Sequence, residues 1–249
     1  MALGSPSPLL TVPTDRQERW KLVREVIRQW FPADLSKLAL PLGMSPITAP
    51  PTACGAIQEW YRIVREAPEV WCQQDHLFGA GGDWRRGDYL TIAVENQVCA
   101  YWGVPRSELD QEDPPVFLDR GRGAWEVESP TTSEFALTWL AYSIKWSHYN
   151  RGGANGSLDD TALELIKERF PRLKLTDWHW PDGPTRFYGT ADLLLETNGD
   201  NPGAWLWVSA RTKAAFREFQ SLVSTTEIRW ESSSDEWPDG WVSAADDPE

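Results

Sequence analysis

The sequence predicts an α+β fold: a central, mostly antiparallel twisted sheet packed against several helices. Three observations carry that prediction. Residues 89–104 contain two runs of period-2 alternation joined by a polar pair, the pattern of a β-hairpin. Runs with apolar residues at helical spacing lie on both sides of it. The 249-residue chain also carries 16 tryptophans, and rings of this kind each bury roughly 150–250 Å², ample to fill a core between layers.

Taken in order, residues 1–13 are small, apolar and proline-rich and read as a flexible N-terminal arm. Thr14 or Asp15 caps a first helix in which Trp20, Val23, Ile27 and Trp30 share a face; its arginine-rich remainder is a solvated surface, and Phe31-Pro32 stops it. Residues 32–55 are proline-rich and loop-like. A second helix over 56–66 buries Ile57, Trp60, Tyr61 and Val64. The connector over 69–88 holds Gly79, Gly81, Gly82 and Gly87. It lacks the lysine and the spacing of a phosphate loop, so it reads as flexible.

In the hairpin, Leu90, Ile92 and Val94 alternate with Thr91, Ala93 and Glu95. Asn96-Gln97 supplies the turn, and Val98, Ala100, Trp102 and Val104 then alternate with Cys99, Tyr101 and Gly103. Pro105 ends that strand because it has no N–H for the ladder. Asp113-Pro114-Pro115 forces an extended entry into a third strand, Val116-Phe117-Leu118, and residues 125–127 add a short fourth. Thr132 or Ser133 caps a helix running to about residue 148, apolar nearly all round and therefore buried on more than one side. Residues 151–156, RGGANG, read as a flexible link and the best place to divide the chain.

A capped helix over 157–170 follows, then short extended stretches near 186–188 and 192–196 and a turn over 198–203. A strand places Trp205, Trp207 and Ser209 on one face, and an amphipathic helix covers 212–223. Residues 14–230 thus form one domain, with 157–230 as a candidate second lobe, and 231–249 form a disordered acidic tail.

The net charge of -13 is unevenly placed. Glu231, Asp235, Glu236, Asp239, Asp246, Asp247 and Glu249 account for seven of those charges, which leaves -6 on residues 1–230. No basic stripe is present to neutralise phosphates, so nucleic acid is not the expected partner. Cys54, Cys72 and Cys99 are odd in number and read as free thiols in a reducing compartment, Cys99 as a core thiol within the hairpin. The N-terminus has no basic n-region, and no run approaches the ~20 apolar residues of a membrane span, so the expectation is a cytoplasmic protein with no membrane partner.

His76, His148 and His179 stand in no catalytic motif. Cys72 and His76 match one side of a zinc site without a second pair. Glu126 and Glu128 share a strand face with no base beside them. The expectation is therefore no enzyme, no metal and no cofactor.

Glu95-Asn96-Gln97, Trp102-Gly103-Val104 and Asp113-Pro114-Pro115-Val116, in that order, resemble the signature of the SUKH superfamily, which comprises bacterial toxin-immunity proteins and fungal cell-wall-assembly regulators. The layout is similar as well: Trp60 and Tyr61 on a helix upstream, TSEFALTWL downstream, and the later TRFYG and WLWV, so that the likeness spans about 40–225. The resemblance implies a non-enzymatic α+β domain that binds and neutralises a cognate toxin domain through a surface cleft. An acidic receptor favours a basic partner such as a nuclease.

The candidate partner-binding residues are Glu95 and Asn96 at the turn, Trp102 beside a strand glycine, and Asp113 on its proline-fixed loop. Each also has a structural reading, with Asn96 and Asp113 satisfying turn N–H groups and Trp102 in the core. A reading from another class is an intracellular scaffold or regulator that recruits partners through the cleft or through Trp237 and Trp241 in the tail.

Overall fold

The computed structural model describes residues 4–31, 49, 53–77, 85–146, 152–181, 183–199 and 203–234. The chain divides into two units, Pro13–Ser147 and a second made of Met1–Val12 together with His148–Glu249. The body expected over 14–230 is therefore two, divided at 147/148 and not at 157. Most of the proline-rich stretch 32–55, the glycines at 79, 81 and 82, His148, and the tail from 235 with Trp237 and Trp241 lie outside the described residues.

In the first unit, Asp15 caps α1 (Arg16–Trp30) by accepting the Glu18 N–H at 2.9 Å. Three more helices follow: α2 (Gly55–Glu66), α3 (Pro68–Trp71) and α4 (Thr132–Ile144), the last capped by Thr131. The strands are β1 (His76–Leu77), β2 (Arg85–Arg86), β3 (Tyr89–Val94), β4 (Tyr101–Pro105), β5 (Val116–Asp119) and β6 (Trp125–Ser129). They form an antiparallel sheet in the order β1-β3-β4-β5-β6, with β2 also on β3.

One face of this sheet is the core. Trp102, 0 % exposed, meets Trp139 of α4 edge to face at 5.2 Å. Trp60 of α2 crosses both Trp71 and Phe135 at 5.7 Å. The indole of Trp139 donates to the Trp71 carbonyl at 3.0 Å, tying α4 to α3, and the Tyr61 hydroxyl donates to the Ile92 carbonyl at 3.1 Å, tying α2 to the sheet. Because α4 is enclosed nearly all round, its apolar residues need no polar face.

The hairpin differs from its expected form in two ways. The turn is a loop over 95–100, closed by Glu95 N–H to the Ala100 carbonyl at 2.9 Å and Val98 N–H to the Glu95 carbonyl at 2.8 Å. A bulge at Ile92 also changes the phase of alternation, so that Ala93 lies opposite Trp102 and Val94 opposite Tyr101.

The second unit contains β7 (Gly152–Leu158), α5 (Asp160–Arg169), β8 (Thr185–Gly189), β9 (Leu193–Asn198), β10 (Trp205–Ala210), α6 (Lys213–Val223) and β11 (Ile228–Ser234). Its antiparallel order is β11-β7-β10-β9-β8. Leu163 and Ile166 of α5 and Phe216 and Phe219 of α6 pack against Leu158, Leu195, Leu206 and Val208 of the sheet.

Three expectations are corrected here. The RGGANG stretch is mostly an interior strand, because β10 and β11 pair with β7 on both sides; a Cβ at Gly156 would overlap the Arg229 carbonyl oxygen. Residues 231–234 extend β11 and do not begin a tail. Part of the N-terminal arm is built in: residues Pro8–Leu10 form a 3-10 turn with Leu9 buried, and the Lys174 N–H donates to the Leu9 carbonyl at 2.8 Å. No described helix is long and apolar enough to cross a membrane.

Candidate protein-binding face

The other face of the first sheet is built from the odd-numbered positions of four strands. Register places Thr91, Gly103, Phe117 and Val127 in one row, and Tyr101, Asp119 and Trp125 in the next. On this face Tyr89 stacks on Trp125 with centroids 4.0 Å apart and planes at 12°, and meets Phe117 edge to face at 5.6 Å. Gly103 makes room for the stack: a Cβ there would stand 3.0 Å from Trp125 Cη2 and 3.1 Å from the Leu90 carbonyl oxygen. Close approach of another group is what a glycine in this strand led one to expect, and the group is the Trp125 ring.

Arg86 flanks the aromatic row, its guanidinium 3.9 Å over the Tyr101 ring. Its Nε donates to Asp119 Oδ2 at 2.7 Å, while Asp119 Oδ1 accepts the Arg122 and Gly123 N–H groups at 2.9 and 2.8 Å. Asp119 is fully enclosed, so one buried carboxylate fixes both the arginine and the β5–β6 turn. That turn abuts the 95–100 loop, since a Cβ at Gly121 would lie 3.2 Å from the Cys99 carbonyl oxygen.

Tyr89, Tyr101, Phe117 and Trp125 are half-buried, and Val127 is 58 % exposed. Burial raises the Tyr89 phenol pKa, with Glu108 and Asp88 adding to the shift, so carboxylates rim the row. At the loop tip Val98 is 57 % exposed with φ +65°, a left-handed backbone rare for a β-branched residue. A half-exposed set of packed Tyr, Trp, Phe and Arg side chains has the composition of an interface centre.

Of the four residues expected at the binding surface, the fold occupies three itself. Glu95 is buried, its Oε2 accepting the Gln97 and Cys99 N–H groups at 2.8 and 3.2 Å. Trp102 is core. Asp113 accepts the Ser133 N–H and hydroxyl at 2.9 and 2.6 Å and pairs with buried Arg19 at 3.0 Å, locking α1 to the start of α4. Asn96 keeps an exposed side chain, while its N–H donates to Asp75.

Cys99 is exposed and not a core thiol, because the loop turns it outward. Burial pushes the Cys72 thiol up to about 11, and His76 is exposed. Glu126 is exposed while Glu128 is buried, so that pair does not act as a pair. Among the described residues no three His, Cys, Asp or Glu side chains converge as a metal site.

Arg86, Tyr89, Phe117, Trp125 and Val127 were not singled out in the sequence. For Tyr89, Phe117, Trp125 and Val127 the shared odd parity was the available signal, but separate strands had to be placed in register before it became a surface, and Arg86 joins them from β2. Comparisons with protein-family models, with curated proteins and with solved structures gave no significant match.

Proposed function

We propose that this chain is a cytoplasmic, non-enzymatic protein-binding protein of the immunity type, one that binds a cognate bacterial toxin domain and covers its active site. The observation that carries the reading is the Tyr89–Trp125 stack with Phe117, Tyr101 and Arg86, held half-exposed on one sheet face. Large rings already fixed by packing lose little entropy when a partner settles on them, and Trp, Tyr and Arg dominate binding energy at interfaces. The charge of -13 and the rim carboxylates near Tyr89 favour a basic partner, such as a nuclease domain, by speeding its encounter. The ordered ENQ, WGV and DPPV motifs, which resemble those of the SUKH superfamily, point the same way.

The test is co-expression with a candidate toxin domain, sought first in the adjacent gene. Full-length protein is expected to restore growth, and the double variant Tyr89→Ser, Trp125→Ser to lose that protection while remaining folded by circular dichroism. Equal killing with and without the wild-type protein would remove the toxin reading. Full protection by the double variant would move the binding surface elsewhere.

A further inference from the structure

We propose that residues 95–100 form a proton-linked loop, in which Asp75 holds one proton while the loop is closed and releases it to solvent as the loop opens. Asp75 is 3 % exposed and precedes β1. Its Oδ1 accepts the Asn96 N–H at 3.2 Å, and its Oδ2 is enclosed without a partner among the described residues. A second buried carboxylate, Glu95, stands at the same loop base, with one oxygen committed to the N–H groups of Gln97 and Cys99. The same loop holds Val98 in a left-handed backbone, its N–H on the Glu95 carbonyl, a conformation that opening would relieve.

The loop thus rests on two carboxylates, one of them half satisfied. An enclosed oxygen with no donor is costly as an anion and acceptable as a hydroxyl. Glu95 from the loop and Lys145 just past α4 face Asp75 with opposite signs. Along the chain its nearest chargeable neighbours are Glu69 of α3, Cys72, and the exposed His76 of β1. Burial, with Glu95 adding, pushes Asp75 up to about 7, against the Asn96 N–H and Lys145.

The sign follows by linkage. A carboxyl whose closed-state pKa lies above its ordinary value favours closure when protonated. That contribution is complete below about pH 4, declines as pH rises, and is gone above about 7. Between those limits opening becomes about tenfold easier per pH unit. The inference needs no partner and stands apart from the toxin reading.

The experiment is hydrogen exchange on the full chain, followed by NMR at the Gln97 and Cys99 amides and corrected for intrinsic rates. Wild-type protection is expected to fall about tenfold per unit between pH 5 and 6.5 and to level above 7. Asp75→Asn, which keeps an acceptor for the Asn96 N–H, is expected to be flat over that range, and His76→Gln to keep the wild-type slope. The Asp75 carboxyl carbon shift, read on wild type, is expected to titrate near 7 and decides the matter alone if the Asn variant does not fold. A midpoint near 4, flat wild-type protection, or an unchanged slope in Asp75→Asn would each overturn the proposal.

Discussion

On its inner side the first sheet meets α2 and α4 through crossed rings, with Trp102 and Trp139 at 5.2 Å and Trp60 and Phe135 at 5.7 Å, all enclosed. On its outer side Tyr89 and Trp125 lie parallel at 4.0 Å and remain half-exposed. Both faces spend large aromatic side chains. Crossed rings fill a volume from several directions, as a core requires, whereas a parallel pair presents one flat, rigid surface to whatever arrives. The difference teaches that aromatic content alone does not mark a binding face. The mark is aromatic area left unburied although the same sheet buries its other rings completely.

The contrast predicts a ranked series of losses. Trp102→Ala removes a fully enclosed ring and should cost about 3–5 kcal/mol in urea unfolding. Asp113→Ala leaves buried Arg19 short of the nearer of its two carboxylate partners and should cost about 3 kcal/mol by the same measurement. A loss under about 1 kcal/mol would mean that Thr131, Ser133 and Glu134 suffice for the guanidinium.

Gly103→Ala tests the seam between the faces. Its methyl would press on Trp125 and on the Leu90 carbonyl, for about 1–3 kcal/mol and a changed near-UV signal from the stacked pair. Tyr89→Ser should be mildest, about 0.5–1.5 kcal/mol of stacking, yet should weaken the proposed partner binding most relative to its stability cost. If Tyr89→Ser destabilised as much as Trp102→Ala, the two faces would both be core and the distinction would fail.

How far the sequence foretold this depends on which forces set each element. Helix starts were readable to within a residue or two because the signal is local: Asp15 caps α1 as expected, whereas α4 is capped by Thr131 and not by Thr132 or Ser133, which lie in its first turn. The strand runs in 89–104 were readable from alternation, and Leu90, Ile92, Val94 and Trp102 do lie in one sheet. The phase change at Ile92 was not, because a bulge is fixed by pairing across strands.

Asn96-Gln97 looked like a two-residue turn, but the Glu95 carboxylate binds two loop N–H groups and supports a longer one. The same role hid Glu95, and Arg19 hid Asp113, since polar motif residues look alike in sequence whether they face a partner or serve the fold. Gly152 to Gly156 read as a link on composition, yet two neighbouring strands supply the backbone pairing that the side chains cannot.

The N-terminal turn has a consequence for biosynthesis. Ser5 and Leu9 accept hydrogen bonds from the N–H groups of Ala191 and Lys174, so this segment is completed by residues translated long after it. At ~5–20 residues per second, residues 5–9 wait on the order of ten seconds or more on the ribosome before their partners are translated. The whole of Pro13–Ser147 is made during the delay and can fold ahead of its flanks. Nascent chains stalled before residue 174 should therefore leave residues 5–9 open to proteases while the tryptophan core is already resistant.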